Sequence, residues 1–242
     1  MADIDIKEFY IRKVGTLGKI SIWLVDGTKI RTFNNEFTNF GHHYTFSFIP
    51  EYEFWVEKES KYDERNFFID HMLAEWQGCR KGLTFDQALE VANKKEKAER
   101  LKAGDLSKVM DKEGHPEIQN VYVKQLGKTA DDIFVWVVKG RLVRSVFYMD
   151  YVQGGHDYVY KFVPHNEVWL DDDLLPEEWP YVLTHELHER KLMKEKSWAY
   201  NKAHASASQL EWRLRNGPKR LKSVLKKLGC TDSELLTNLG LK

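Results

Sequence analysis

The chain has 242 residues, of which 42% are hydrophobic, and its 37 lysines and arginines balance 37 aspartates and glutamates. This composition excludes wholesale disorder, and a neutral chain gives no sign of general nucleic-acid binding. No apolar run approaches the ~20 residues that span a bilayer, and the N-terminus lacks a secretory signal. Only two cysteines occur, as is typical of a reducing compartment. We therefore expect a cytoplasmic protein without membrane contact.

Strands are predicted in the same order in two parts of the chain. β-Branched and aromatic runs predict strands at residues 19–25 and 133–138, each followed by a hairpin-turn dipeptide, Asp26-Gly27 or Lys139-Gly140. Further strand patterns precede a proline or a helical pattern; they lie at residues 44–49, 53–56, 158–163 and 167–170.

A helical hairpin is predicted after the second set of strands. Pro180 suits the first turn of a helix, which we expect over residues 181–194. Ser197 is a candidate N-cap for a longer helix that ends at Arg215, before Asn216-Gly217-Pro218. Leucines at helical spacing then predict two short amphipathic helices in a basic tail.

The chain repeats itself at an offset of 114 residues. Residues 41–56 and 155–170 are identical at seven of sixteen positions, among them a Gly-His pair, a proline and a tryptophan. The same offset relates His71 to His185 and Glu75 to Glu189, and after a one-residue slip Glu96 falls on Glu211. Two copies of one unit explain this register.

We therefore predict an α+β fold with an internal duplication, in which each unit has antiparallel strands followed by a helical hairpin. The predicted boundaries are residues 1–101 for the first unit, 102–120 for a linker, 121–215 for the second unit and 216–242 for a small C-terminal helical tail. We favour packing of the tail on the body over nucleic-acid binding, although residues 213–227 carry seven lysines and arginines and no acid.

The second unit carries a candidate metal site. His185 and Glu189 are four residues apart and therefore share one face of a helix, and His204 and Glu211 lie on the next helix. Two imidazoles and a carboxylate (His185, His204 and Glu189) form the ligand set of a catalytic divalent metal, with zinc favoured. Glu211 is then a supporting carboxylate or an alternative ligand, and Glu186 is the candidate base that activates water.

The first unit holds a degenerate counterpart of this site. Its His71, Glu75 and Glu96 correspond to three of the candidate residues, whereas the positions of Glu186 and His204 are occupied by Met72 and Leu89. Any reaction is therefore expected in the second unit.

Two further histidines are candidates for lining a substrate cleft. These are His156, in a Gly-His loop before a predicted strand, and His188, on the helix of the candidate site.

The helix sequence His185-Glu186-Leu187-His188-Glu189 resembles the His-Glu-x-x-His helix of zincin metallopeptidases. The resemblance covers about residues 167–211 and implies that His185 is the first ligand and Glu186 the general base of a hydrolase, with Glu189 at the place of the second histidine. Residues 164–215 also resemble uncharacterised phage and bacterial proteins, and a phage-encoded chain would be located in the host cytoplasm or the virion.

A non-catalytic hypothesis accounts for the same residues. A structural or interaction protein, phage-associated or not, would use the His/Glu/Glu set as a buried hydrogen-bond network that joins the two helices in both units. The shared set is consistent with either hypothesis, and Glu186 and His204 favour the catalytic one.

Overall fold

A computed structural model describes residues 5–241. The described chain divides into two compact units: residues up to Phe33 together with Phe37–Asp105, and residues from Leu106 onward together with Asn34–Glu36. Each unit contains a four-stranded sheet followed by two long helices.

The first unit has its strands in the order β1-β2-β4-β3. Its elements in chain order are β1 (Tyr10–Leu17), β2 (Ile20–Val25), α1 (Gly27–Phe33), β3 (Phe40–His42), β4 (Glu53–Glu57), α2 (Arg65–Arg80) and α3 (Phe85–Lys102). Trp23 of β2 lies opposite Trp55 of β4, and Trp55 is fully buried in an aromatic cluster.

The second unit has the equivalent order β5-β6-β8-β7. Its elements are β5 (Tyr122–Lys128), β6 (Phe134–Val138), α4 (Gly140–Val146), β7 (Gly154–His156), β8 (Glu167–Asp171), α5 (Trp179–Lys196), α6 (Tyr200–Arg215), α7 (Leu221–Lys227) and α8 (Ser233–Asn238). Trp136 pairs with the buried Trp169 in the same register as their counterparts. The duplication seen in the sequence is thus a duplication of structure.

The predicted α+β class, the duplicated unit and the helical hairpin are confirmed. In each sheet two of the strand pairings are antiparallel, as predicted, while the central pairing, β2 with β4 or β6 with β8, is parallel. Both sheets are therefore mixed.

Two predicted turns are helix starts. The dipeptides Asp26-Gly27 and Lys139-Gly140 lead into α1 and α4 instead of hairpins. Neither glycine has a positive φ. A Cβ at Gly27 would overlap the Glu57 carboxylate, and one at Gly140 would overlap that of Asp171. These glycines make room for carboxylates that pair with buried arginines. Their role is therefore steric, and they do not form hairpin turns.

The predicted strands at 44–49 and 158–163 are turns in the structure. The amide of Tyr44 donates to Nδ1 of His42, and that of Tyr158 donates to Nδ1 of His156, each at 3.2 Å. The histidine side chain thus competes for an amide that a strand would use in its ladder, and β3 and β7 end at these histidines.

The helix predicted at 181–194 is confirmed as α5, but the role of Ser197 is wrong. Ser197 is the C-cap of α5 in the left-handed region, at φ 51°, and Ala199 precedes α6. The end of α6 at Arg215 is confirmed.

The two short tail helices are also confirmed, as α7 and α8. They pack on α5 and β5 and bury four leucines in the core of the second unit, Leu221, Leu225, Leu235 and Leu239. Gly127 of β5 permits this contact, because a Cβ there would lie 2.8 Å from Cβ of Leu235. Among the described residues, no helix is long and apolar enough to cross a membrane.

We expect Gly27→Ala and Gly140→Ala each to lower the free energy of unfolding by about 3 kcal/mol, the lower end of the cost of breaking a buried ion pair. The added methyl group would push Glu57 away from Arg31 in the first unit, or Asp171 away from Arg144 in the second. Urea unfolding measures the change.

Gly15→Ala is the control for these two variants. Its added Cβ would have its nearest neighbour at 3.8 Å, in ordinary contact with Ile22. Equal losses in all three variants would contradict the role that we assign to Gly27 and Gly140.

Candidate metal centre

The helical hairpin of the second unit brings the candidate residues together. His185, Glu186 and Glu189 lie on α5 and are buried. Helix α6 packs against α5 through Ala203 and Ala207, which are fully buried. Small side chains let the two helices approach closely, so that polar side chains on α6 reach those on α5.

Three ligand atoms converge between the helices. Nε2 of His185 lies 3.1 Å from Nδ1 of His204 and 3.6 Å from Oε2 of Glu189. Nδ1 of His204 lies 2.9 Å from the same Oε2. Tetrahedral zinc with bonds of about 2.1 Å holds its ligand atoms about 3.4 Å apart. The donor set therefore fits a small divalent ion after adjustments of a few tenths of an ångström.

Glu211 orients His185. Its Oε2 lies 3.0 Å from Nδ1 of His185, and its Oε1 accepts a hydrogen bond of 2.9 Å from Nε of Arg215. A carboxylate on one ring nitrogen keeps the proton there and leaves the other nitrogen free to bind a metal. Of the two roles predicted for Glu211, this geometry favours the supporting carboxylate.

The buried carboxylates favour positive charge at this place. Burial alone would lower the pKa of His185, but hydrogen bonds to Glu189 and Glu211 raise it to about 10. Burial would raise the pKa of Glu211, yet His185 and Arg215 bring it down to about 2. The interior of the cluster is thus suited to a cation.

His156 positions Glu189. Its Nε2 lies 3.0 Å from Oε1 of Glu189, whereas His204 contacts Oε2. Its Nδ1 accepts the amide of Tyr158, so Nε2 carries the ring proton and donates it to the carboxylate. Nε2 therefore has no lone pair for a metal. His156 is fully buried and belongs to the cluster itself, not to the wall of a cleft.

Glu186 is the unusual member of the site. It is 8% exposed, and among the described residues its carboxylate makes no hydrogen bond or ion pair. One of its oxygens lies within 4.8 Å of ligand atoms of His156 and Glu189. Burial raises its pKa to about 8, although His185 opposes the rise. A buried carboxylate without a partner is costly, and such costs concentrate at functional sites.

The first unit repeats the supporting network. Nδ1 of His71 lies 2.7 Å from Oε2 of Glu96, and Nε of Arg100 donates to Oε1 of Glu96 at 2.7 Å. Oε2 of Glu75 lies 3.3 Å from Nε2 of His71, and its Oε1 lies 3.3 Å from Nε2 of His42. The network therefore forms without the two residues that distinguish the second unit, Glu186 and His204.

His188 and an acidic run at the end of β8 lie outside the cluster. His188 is half-buried, and its Nε2 lies 3.1 Å from Oγ of Ser206, outside the cluster. Asp171 and Asp173, in the acidic run that ends β8, are buried and paired with Arg144. The arginine therefore compensates the charge of this run.

Sequence reasoning missed two members of the network. From the sequence alone His156 is a candidate for the wall of a cleft. Arg215, whose Nη1 donates to Glu178 at 2.8 Å, has no predicted role. The signal was present in the repeat, because His42 aligns with His156 and Arg100 with Arg215.

Comparison with known proteins gives no match: no family model, no curated protein and no solved structure is similar to this chain.

Proposed function

We propose that the chain is a metal-dependent hydrolase, with its site in the second unit. His185, Glu189 and His204 would hold a divalent ion, zinc being the first choice for two imidazoles and a carboxylate. The observation that carries the proposal is Glu186, a buried carboxyl group that makes no hydrogen bond or ion pair among the described residues. One of its oxygens lies within 4.8 Å of a ligand atom of Glu189, which belongs to the converging set.

A comparison of charges between the units supports a cation. The second unit buries Glu178, Glu186, Glu189 and Glu211, of which Glu178 and Glu211 pair with Arg215. In the first unit the position of Glu186 is the apolar Met72, which lies in the hydrophobic core. The second unit thus buries one more carboxyl group, and the ionised form of a buried carboxyl group requires a compensating partner.

The residues of the site would have different roles in the hydrolysis. A bound divalent ion supplies a Lewis acid that polarises the scissile group and lowers the pKa of water. Glu186 would accept the proton of the attacking water and return it to the leaving group, as a general base and then a general acid. Glu211 and His156 hold His185 and Glu189 in place, each through one hydrogen bond. Peptide bonds are the substrate class that the likeness to zincins suggests.

Metal analysis tests the proposal. After reconstitution with zinc, manganese or iron(II) and removal of excess, we expect one ion per chain, lost in His204→Ala and retained in the matched first-unit variant His71→Ala. Glu186→Gln should keep the ion and lose 10²–10⁴-fold in turnover of chromogenic amide, ester or phosphoester substrates, the usual contribution of a general base.

The alternative, a structural or interaction protein, predicts other outcomes. It is favoured by the first unit, in which the network of His71, Glu96 and Arg100 is complete without the additional residues. Less than about a tenth of an equivalent of metal under all three conditions would reject the hydrolase, since structural and catalytic zinc sites bind tightly. Full activity of Glu186→Gln would reject the role of Glu186.

A further inference from the structure

A cavity lined by aromatic rings lies beside the candidate metal centre. It has a volume of about 460 Å³. Aromatic side chains form most of its wall, namely Phe147, Tyr148, Tyr158, Tyr160, Phe162 and Tyr200. Three of these tyrosines remain partly open, with exposed fractions of 46% for Tyr148, 39% for Tyr158 and 43% for Tyr200. Exposed aromatic surface of this kind is typical of binding sites.

The wall of the cavity is continuous with the metal centre. The ring of Tyr200 stacks on that of His204, with centroids 5.3 Å apart and planes inclined by 29°. The amide of Tyr158 donates to His156, which in turn holds Glu189. A group bound against Tyr200 therefore lies next to a proposed metal ligand.

Two tyrosines of the wall have phenylalanine counterparts in the first unit. In the register of the repeat, Tyr160 corresponds to Phe46 and Tyr200 to Phe85, so the first unit has the rings without the hydroxyls. Tyr158 corresponds to Tyr44. The additional hydroxyls thus accompany the two additional site residues, Glu186 and His204. Such hydroxyls can hydrogen-bond to polar atoms of a bound molecule while the rings contact its apolar part.

The charge of the cavity wall favours a neutral aromatic ligand over a cationic one. Among the described residues that line the cavity, Lys161 alone is charged. A lysine at this place opposes a cationic ligand, although aromatic rings by themselves would accept one. A neutral aromatic ring fits both the rings and the lysine.

We propose that this cavity binds a neutral aromatic group of the substrate, next to the bond that is hydrolysed. The inference rests on the proposed hydrolase function and names its substrate class: acyl or amide compounds with an aromatic ring close to the scissile bond. The ring would stack on the tyrosines, and the neighbouring carbonyl would reach the ion held by His185, Glu189 and His204.

Two hydroxamates separate the cavity from the metal. Acetohydroxamate chelates a bound ion without a ring, and 3-phenylpropionohydroxamate adds one. With the zinc-loaded protein we expect the phenyl compound to bind at least about tenfold more tightly, as burial of an aromatic ring would give. Met193→Trp should remove this preference and leave the affinity for acetohydroxamate and the zinc content unchanged, because Met193 lines the cavity from the end of α5. Met193→Leu is the volume-matched control.

The outcomes distinguish the two proposals. Equal affinities for both hydroxamates in the zinc-loaded protein would overturn the aromatic site and leave the hydrolase in place. If no metal binds, the hydrolase fails, and the cavity is then tested with neutral 3-phenylpropionamide on the metal-free protein. Saturable binding that Met193→Trp abolishes and Met193→Leu retains would support the site, and its absence would overturn it.

Discussion

The substitution Leu89→His is expected to give the first unit a metal site and to raise the metal content of the chain from one ion to two. Leu89 takes the place of His204 in the repeat: it follows the buried Ala88, as His204 follows the buried Ala203, and both positions are half-buried. The remaining ligands are present, since Nε2 of His71 lies 3.3 Å from Oε2 of Glu75. Glu96 already orients His71, as Glu211 orients His185.

The new site should bind metal without adding turnover. Its counterpart of Glu186 is Met72, which is fully buried and apolar, so the first unit has no base to activate water. Metal content by elemental analysis should therefore double, while the rate per chain stays constant. In the background of His204→Ala, Leu89→His should restore one ion without restoring activity.

Leu89→Gln is the control, because it adds a polar side chain that is a poor ligand for zinc. A metal content that remains at one ion in Leu89→His, with the fold intact, would show that the two hairpins are not equivalent at this position. Two histidines and one glutamate in this arrangement would then not suffice to bind an ion in the first unit.

The helices and the convergence of the site were predictable from the sequence because they follow from helical geometry. A spacing of four residues places His185 and Glu189 on one face, and a hairpin with a three-residue connection brings the next helix alongside. Side chains on the facing sides of the two helices then meet. His204 lies on that face because it neighbours the buried Ala203, which marks the side of α6 that meets α5.

The sheet topology was less predictable because single side chains decide where the strands end. In residues 44–49 the alternation of Tyr44, Phe46 and Phe48 is that of a strand. His42 takes the amide of Tyr44, however, and the chain turns so that the rings of Phe46 and Phe48 pack together at 5.5 Å. The hydrogen bond between the buried ring of His42 and the amide of Tyr44 cannot be predicted from the pattern of hydrophobic residues.

The parallel central pairing depends on contacts that are distant in sequence. Helix α1 carries Arg31 to Glu57 at the end of β4, and α4 carries Arg144 to Asp171 at the end of β8. These buried pairs fix the connection that returns the chain in the parallel direction. The glycines that make room for them resemble turn residues when the sequence is considered alone.

Arg215→Met is expected to lower the free energy of unfolding by about 3–5 kcal/mol, the cost of removing one partner from a buried ion pair. The guanidinium donates to Glu178 and Glu211, each at 2.8–2.9 Å, and its side chain is 2% exposed. Methionine fills much of the same volume but removes the guanidinium that both buried carboxylates bind. Urea unfolding at neutral pH measures the loss.

The loss should depend on pH with a definite sign. The pKa of Glu211 is lowered to about 2 in the folded protein, so its pairing stabilises the fold above the ordinary carboxyl pKa near 4.5. That stability disappears as pH falls toward 2 and the carboxylate takes up a proton. The difference between the wild-type chain and Arg215→Met should therefore shrink as pH falls from about 5 toward 2, provided that both remain folded.

Arg100→Met separates the structural role of the arginine from its role at the metal. Arg100 binds Glu64 and Glu96 in the first unit with the same geometry, at 2.8 Å and 2.6 Å. The loss of stability in Arg100→Met should match that in Arg215→Met. Zinc affinity should fall about 10–100-fold in Arg215→Met alone, since Glu211, unlike Glu96, orients a proposed ligand. Equal zinc affinities for the two variants would break the proposed link from Arg215 through Glu211 to His185. The shared arginine would then be a feature of the duplicated fold, independent of the additional residues that make the second unit a candidate enzyme.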